Sequence, residues 1–258
     1  MVNKDIAIKL TNLNVGYVNN ILIKNISIFI KENEFILLTG PKDSGKTTFI
    51  ETIIGLKKPL SGHIHVFDNR TFLDYKHLIG YIPQEIMINN PNFSVLDVVL
   101  MGLVSNKPWF PKINKEDKKL AKKSLKKVGF NQDINMSFCK ISQSERIKCL
   151  IARALVNNQK ILILDEIESN LDTKSKNELL SLLSFLKKKK NITFLISTKE
   201  FNLFNTLVDK VLLLGENDKD FFFDKPENVI TDDILSKVYN VNLKSLKTND
   251  KKIYISYN

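Results

Sequence analysis

Residues 35–48 read FILLTGPKDSGKTT, and this stretch decides the fold of the chain. Its first five residues form a short, mostly apolar run of the kind that makes a strand. The next eight fit the pattern G-x-x-x-x-G-K-T, and helical spacing runs from Gly45 to Leu56, before a break at 57–59. A strand, a glycine turn and a helix in this order predict a loop whose backbone N–H groups hold phosphates at the helix N-terminus.

The residues of this loop have separate expected roles. Lys46 is placed to reach the outer phosphates of a nucleotide, and Thr47 to offer a hydroxyl ligand to Mg²⁺. A chance turn of Gly and Lys is the alternative, and the flanking strand and helix argue against it. The predicted nucleotide contacts in the loop are Gly40, Pro41, Lys42, Asp43, Ser44, Gly45, Lys46, Thr47 and Thr48.

Strands and helices alternate on both sides of the loop. Apolar or alternating runs predict strands at 21–30, 63–67, 78–82, 161–164 and 192–196, and a helix is expected at 172–189. Between 94 and 155 the pattern is helical. This order predicts an α/β core interrupted by a helical subdomain.

The composition narrows the class of protein. The 258 residues are 43% hydrophobic and 26% charged, which indicates a packed globule. The apolar runs are too short to span a bilayer and the N-terminus lacks the apolar core of a signal peptide, so a cytosolic protein is expected. The net charge of +11 comes from scattered lysines, and no nucleic-acid partner is expected from it. Cys139 and Cys149 are interpreted as reduced thiols.

Further motifs surround the loop in a fixed order. They are LNVGY at 13–17, YIPQE at 81–85, ISQSERIKCLIARAL at 141–155, ILILDE at 161–166 and SNLD at 169–172. In order and content they resemble the ATPase subunits of ABC (ATP-binding-cassette) transporters, over about residues 4–240.

That resemblance implies a fold and a domain organisation. The fold would be α/β, a P-loop NTPase (RecA-like) core with an N-terminal antiparallel β subdomain and an inserted α-helical subdomain. The whole chain, 1–258, would be one cassette. Residues 1–85 and 156–230 would form the nucleotide-binding core with the β subdomain, 86–155 the helical subdomain, and 231–258 a short C-terminal extension.

The resemblance also implies roles outside the loop. Tyr17 would stack on adenine, although an ordinary strand aromatic is the alternative. Gln84 would touch Mg²⁺ and sense the transport subunit, Asp165 would order Mg²⁺, and Glu166 would polarise the attacking water. The alternative for Asp165 and Glu166 is an ordinary acidic strand end, and the phosphate loop in the same chain argues against it. The turn that faces the ATP of an opposite subunit would consist of Ser142, Gln143, Ser144 and Glu145.

Three positions depart from the family pattern. Asp43 and the pair Gln143–Ser144 stand where the family has glycines, and Lys199 stands where it has a histidine that contacts the γ-phosphate. Asp tolerates positive φ at about 1 kcal/mol, but its charge weakens nucleotide binding. Lys199 can neutralise phosphate charge but cannot accept a hydrogen bond. Slow ATP hydrolysis is therefore expected.

The implied function is energising a membrane permease by ATP hydrolysis. The stretches 92–102, 108–130, 197–204 and 232–243 resemble those of importers for metals or metal chelates: zinc, manganese, iron, siderophore, haem or cobalamin. The expected partners are ATP with Mg²⁺, a second ATPase chain in a homodimer or heterodimer, and an integral membrane permease. The protein would lie on the cytoplasmic face of the plasma or inner membrane.

Two other functions stay open from the sequence. One is a nucleotide-binding regulatory subunit that does not hydrolyse ATP, and the other is the ATPase of another ABC system, such as lipopolysaccharide export. His63 and His65 lie on one face of a predicted strand, which permits a metal site, but two exposed strand side chains are the favoured interpretation.

Overall fold

The computed structural model describes residues 5–85, 88, 90–104, 113–190, 192–215, 221–241, 243–248 and 251–256. Residues 108–112 of the metal-importer-like stretch and residue 242 of the C-terminal one lie outside this part. The chain divides into two compact units, Met1–Tyr75 with Thr193–Asn258, and Lys76–Ile192.

The first unit contains an antiparallel sheet with the strand order β2-β1-β4. The strands are β1 (Ile6–Tyr17), β2 (Asn20–Lys31) and β4 (Ser61–Val66). Apolar side chains of β1 and β2, such as Leu13 and Ile26, are fully buried on one face. The antiparallel β subdomain that the resemblance implies is present.

A parallel arrangement of strands in the same unit carries the predicted loop. Here β3 (Phe35–Thr39) lies between β7 (Thr193–Ser197) and β8 (Lys210–Leu214), parallel to both, and β9 (Phe221–Asp224) pairs antiparallel with β8. All of β3 and β7 is buried, which is why both segments are almost continuously apolar.

The helices of the first unit are short. They are α1 (Lys46–Ile53), α2 (Phe72–Tyr75), α7 (Pro226–Val229) and α8 (Asp232–Tyr239), and a hairpin of β10 (Leu243–Thr248) and β11 (Lys251–Ser256) follows. Helix α1 ends at Ile53 rather than at the predicted Leu56, because Gly55 takes a left-handed φ of 72° that ends the helix.

The second unit is mainly helical. A parallel pair of strands, β5 (Ile79–Ile82) and β6 (Ile161–Asp165), accompanies α3 (Val95–Val104), α4 (Lys115–Lys127), α5 (Gln143–Ala154) and α6 (Thr173–Lys190). Asn114 and Asp117 form a reciprocal capping box at the start of α4. The Ser124 hydroxyl donates to the Ala152 carbonyl at 2.7 Å and joins α4 to α5. The helices predicted between 94 and 155 are thus present.

Candidate active site

The phosphate loop has the geometry that its sequence predicts. Gly45 precedes α1 with a left-handed φ of 89°, and no side chain caps the helix. The N–H groups in the first turn of any α-helix lack intrahelical acceptors, which makes the start of α1 suitable for binding an anion. Lys46 is 5% exposed, and its ammonium donates to the carbonyls of Gly40 at 2.9 Å and Pro41 at 2.7 Å. These two hydrogen bonds hold the ammonium group of Lys46 within the phosphate loop.

Two further features of the loop suit a phosphate ligand. A Cβ on Gly40 would lie 2.3 Å from the Leu214 carbonyl oxygen, so only glycine fits where the chain leaves β3. The Ser44 hydroxyl is buried without a hydrogen-bond partner among the described residues. A buried hydroxyl without a partner is unfavourable, so its position supports an external acceptor in the loop.

Asp43 takes the positive φ that its substitution for glycine required. Its φ is 65°, and its side chain is exposed. A left-handed aspartate is strained by about 1 kcal/mol relative to glycine. The carboxylate also adds negative charge to a loop that would hold phosphates.

Lys199, which stands where the family has a histidine, follows Thr198, and Thr198 is hydrogen-bonded to the end of β3. The Thr198 N–H donates to the Leu38 carbonyl at 3.0 Å, and the Thr39 hydroxyl donates to the Thr198 carbonyl at 3.0 Å. Lys199 itself is exposed. The backbone of Lys199 is therefore held beside the strand that enters the phosphate loop.

Two side-chain contacts of the first unit were not predicted from the sequence. The Tyr239 hydroxyl, from the last residue of α8, lies 3.4 Å from the Thr39 hydroxyl. Burial raises the pKa of Tyr239, while hydrogen bonds to Thr39 and Gly40 act in the opposite direction. The Lys57 ammonium lies 3.0 Å from the centroid of the Tyr17 ring. No local motif marks either contact, because both join residues far apart in the chain.

Tyr17 has the exposure that a stacking platform needs. It ends β1 and is 55% exposed. One face of its ring carries the ammonium of Lys57. A nucleobase that stacked on that face would displace Lys57.

In the second unit, two carboxylates end β6. Asp165 is 1% exposed and Glu166 is 5% exposed. Glu166 has a left-handed φ of 45°, which is strained for a residue with a long side chain. The Gln84 amide donates to the Glu166 carboxylate at 3.1 Å. The structure thus brings together two residues that are separated by 82 positions in the sequence.

The turn that opens α5 is an ordinary helix N-terminus despite its lost glycines. Ser142 is the N-cap, and its hydroxyl accepts from the Glu145 N–H at 3.3 Å. Gln143 and Ser144 lie in the first helical turn, so neither position needs glycine for its backbone. The difference from the family pattern is therefore confined to added side chains: Gln143 is exposed and Ser144 is partly buried.

The charge of Glu145 is compensated inside the second unit. Lys148 lies 2.8 Å from Glu145 and 3.5 Å from Glu178. At the next motif, Asp172 caps α6 by accepting from the Ser175 N–H at 2.7 Å. Hydrogen bonds from Ser175 lower the pKa of Asp172. Each of these acidic residues thus has a local structural role.

The donor set suits Mg²⁺ in chemical type. Thr47, Gln84 and Asp165 offer a hydroxyl, an amide and a carboxylate oxygen, which are the hard ligands that Mg²⁺ prefers. The described residues hold no group of three or more His, Cys, Asp or Glu side chains that could bind a metal ion.

A known protein family matches this chain across the phosphate loop and the two carboxylates. The family described as "ABC transporter" matches residues 23–169, more than half of the chain. The chain belongs to the ABC transporter family. The predicted family and its ATPase class are confirmed, and the phosphate loop and the two carboxylates lie within the matched part.

Relatives of this ABC cassette match it over most of their length. A manganese transport system ATP-binding protein of Halalkalibacterium halodurans is 30% identical over 97% of this chain and 98% of its own. The high-affinity zinc uptake system ATP-binding protein of Bacillus subtilis is 31% identical over 82% of this chain and 92% of its own. Both names agree with the predicted class of metal importer subunits.

The fold of the cassette is also that of solved ABC proteins. A structure described as an inward-facing conformation of a metal-chelate type ABC transporter superposes with a TM-score of 0.84 at 24% identity, over 98% of both chains. The predicted fold class is confirmed. None of the helices in the described part of the chain is long and apolar enough to cross a membrane.

Proposed function

We propose that this ABC cassette is the ATP-hydrolysing subunit of an importer for metal ions or metal chelates. The observation that carries the catalytic part is the Gln84–Glu166 hydrogen bond at the end of β6. It orients a buried carboxylate that the strained backbone of Glu166 presents directly after Asp165. Strain of this kind is retained at functional sites.

The residues of the first unit would bind the nucleotide. Lys46 would leave the carbonyls of Gly40 and Pro41 for the β- and γ-phosphates, which the N–H groups at the start of α1 also approach. Tyr17 would stack on adenine after Lys57 is displaced. Lys199 would add positive charge beside the γ-phosphate without the acceptor that a histidine provides.

The residues of the second unit would align water. Glu166 would accept a proton from the attacking water, and Gln84 would hold the Glu166 carboxylate in place. Thr47, Gln84 and Asp165 are the proposed Mg²⁺ ligands. Bound Mg²⁺ supplies charge neutralisation at the phosphates.

The proposed assembly is a dimer. Two ATP molecules would lie between the phosphate loop of one chain and the turn at Ser142 of the other, with Gln143 and Ser144 crowding the partner's nucleotide. The dimer would bind a membrane permease at the cytoplasmic face, and closure around ATP would drive the permease between its conformations. The metal cargo is inferred from the names of the manganese, zinc and metal-chelate relatives.

Nucleotide binding is tested by thermal stabilisation of the purified protein with MgATP. Wild type should be stabilised, and Lys46→Ala should lose the effect because its ammonium is the buried cation of the loop. Lys119→Ala, which removes an exposed lysine of α4 that has no proposed nucleotide contact, is the control and should keep it. Equal stabilisation of all three proteins would overturn the assignment of the loop.

Cargo is tested in proteoliposomes that contain the cassette with its permease. ATP-dependent uptake of manganese, zinc or an iron chelate supports the proposal. ATP hydrolysis without uptake of any metal points to another ABC system. Intact ATP binding without hydrolysis would favour the second candidate function, a regulatory subunit that does not hydrolyse ATP. This candidate is supported by the departures from the family pattern at Lys199 and at Gln143–Ser144.

A further inference from the structure

A basic cavity of about 730 Å³ lies in the first unit, outside the phosphate loop. Its walls come from β4, α2 and the segment that follows α1. Five basic side chains line it: Lys57, Lys58, His63, His65 and Arg70. No aspartate or glutamate is among the described residues that line it. Its volume lies in the range of about 300–1,000 Å³ that is usual for small-molecule sites.

The fold places this charge on one face of the antiparallel sheet. Ile64 and Val66 of β4 point into the core and are buried, so His63 and His65 share the opposite face. Their ring centroids are 6.5 Å apart. On the neighbouring strand, exposed Lys9 pairs with His65 and adds a further positive charge.

One polar atom in the cavity wall lacks a hydrogen bond. The Nδ1 atom of His65 is buried without a partner among the described residues. The hydroxyls nearby are already used, since Tyr75 donates to the Ile53 carbonyl at 3.1 Å and Thr52 donates to the Thr48 carbonyl at 2.7 Å. The capacity for new hydrogen bonds therefore resides in the basic groups.

The basic groups raise one another's electrostatic energy. Burial first, and then Arg70, Lys9 and His63, lower the pKa of His65, and only Asp68 acts in the opposite direction. An anion in the cavity would relieve this repulsion and favour protonated imidazoles. A metal cation would be repelled by the same charges, and the described residues offer no third His, Cys, Asp or Glu that would complete a metal site with the two imidazoles.

We propose that this cavity binds a small oxyanion with two or more negative charges, such as a diphosphate or a polycarboxylate. Charge-assisted hydrogen bonds from Arg70, Lys58 and the two imidazoles would hold it. The edge-on pair of Phe72 and Tyr75, with ring centroids 5.6 Å apart, gives the cavity an apolar wall for the remainder of such a molecule. The site shares no residue with the phosphate loop, although one of its lining residues, Lys57, also contacts Tyr17, the proposed adenine platform.

The histidines allow a direct test by NMR. The chain has three, and His77, which is not among the residues that line the cavity, serves as an internal reference. Pyrophosphate and, separately, citrate are titrated into histidine-labelled protein at constant ionic strength. The His63 and His65 imidazole signals should shift with one saturable curve, while His77 stays unchanged. Unchanged His63 and His65 signals at millimolar concentrations of both anions would overturn the proposal.

Variants separate this cavity from the phosphate loop. Arg70→Gln should weaken the binding about tenfold. Lys58→Gln is a second variant, in case the first does not fold. Lys119→Gln removes a positive charge on α4, outside the cavity, and should have no effect. Lys46→Ala should leave the His63 and His65 shifts intact. Loss of the shifts in Lys46→Ala with normal shifts in Arg70→Gln would assign the anion to the phosphate loop and refute the cavity site.

Discussion

Restoring glycine at positions 143 and 144 should accelerate ATP hydrolysis. Both residues lie in the first turn of α5, directly after the N-cap Ser142, and Gln143 is exposed. In the proposed dimer their side chains face the nucleotide of the other chain, where they would hold it away from Ser142. The double substitution Gln143→Gly and Ser144→Gly removes this obstruction and leaves the Ser142 cap in place.

The magnitude follows from the position of the two residues. Because both already have helical backbone, the glycines relieve no strain and cost helix propensity, about 1 kcal/mol for the pair. In a protein of this size that lowers the melting temperature by about 2–4 °C. Relief of one crowded contact in the transition state should give about tenfold faster turnover, which corresponds to about 1.4 kcal/mol.

The assay is phosphate release by the cassette with its permease. Its control is the pair Gln143→Ala and Ser144→Ala, which removes the bulk of both side chains but favours the helix. If crowding limits turnover, the alanine pair should also gain activity, without the loss of thermal stability. If backbone flexibility is what glycine supplies, only the glycine pair should gain.

One result would refute this reasoning. A glycine pair that folds, keeps its thermal stabilisation by MgATP, and releases phosphate no faster than wild type shows that these side chains do not limit the reaction. The slow step would then lie elsewhere, with Lys199 as the next position to restore to histidine.

Three further substitutions test single contacts. Lys57→Met should raise the affinity for ATP in equilibrium binding, because adenine no longer has to displace a cation from the Tyr17 ring. The neighbouring substitution Lys58→Met should leave this affinity unchanged. Equal effects of the two substitutions would contradict a role for the contact between Lys57 and Tyr17. Asp43→Asn removes one negative charge, and asparagine also tolerates the φ of 65° at this position. The Kd for MgATP should therefore fall on the order of fivefold. An unchanged Kd would place the carboxylate far from the phosphates. Tyr239→Phe should lower kcat more than it changes KM for ATP, since it frees the base of the phosphate loop without touching the nucleotide; unaltered kinetics would leave Tyr239 a packing residue.

Two of the buried strands were predictable because full burial restricts their residues to apolar side chains. FILLT and ILILD are fully buried, and their apolar runs gave β3 and β6 with their bounds within one residue. The loop itself followed from glycine and lysine spacing. The sequence indicated only that Asp43 would tolerate a positive φ at this glycine position, and the observed φ is 65°.

Other features depend on contacts that no local pattern records. Strand β1 was not predicted from periodicity, because register shifts between Leu10 and Leu13 and again up to Gly16 break the alternation. The left-handed backbone of Glu166 has no signal in ILILDE. The contacts of Tyr239 with Thr39 and of Lys57 with Tyr17 are made by tertiary packing. The assignment of the catalytic and nucleotide-binding residues remains a prediction.

Phosphate release by Glu166→Gln in the presence of MgATP tests the central claim most directly. The amide keeps the size of the side chain and its contact with Gln84, but it cannot accept the proton of the attacking water. In this variant, phosphate release should stop while ATP stays bound, and the ATP-bound dimer should accumulate in size-exclusion chromatography. Turnover at the wild-type rate would contradict the role of Glu166 and, with it, the proposed mechanism.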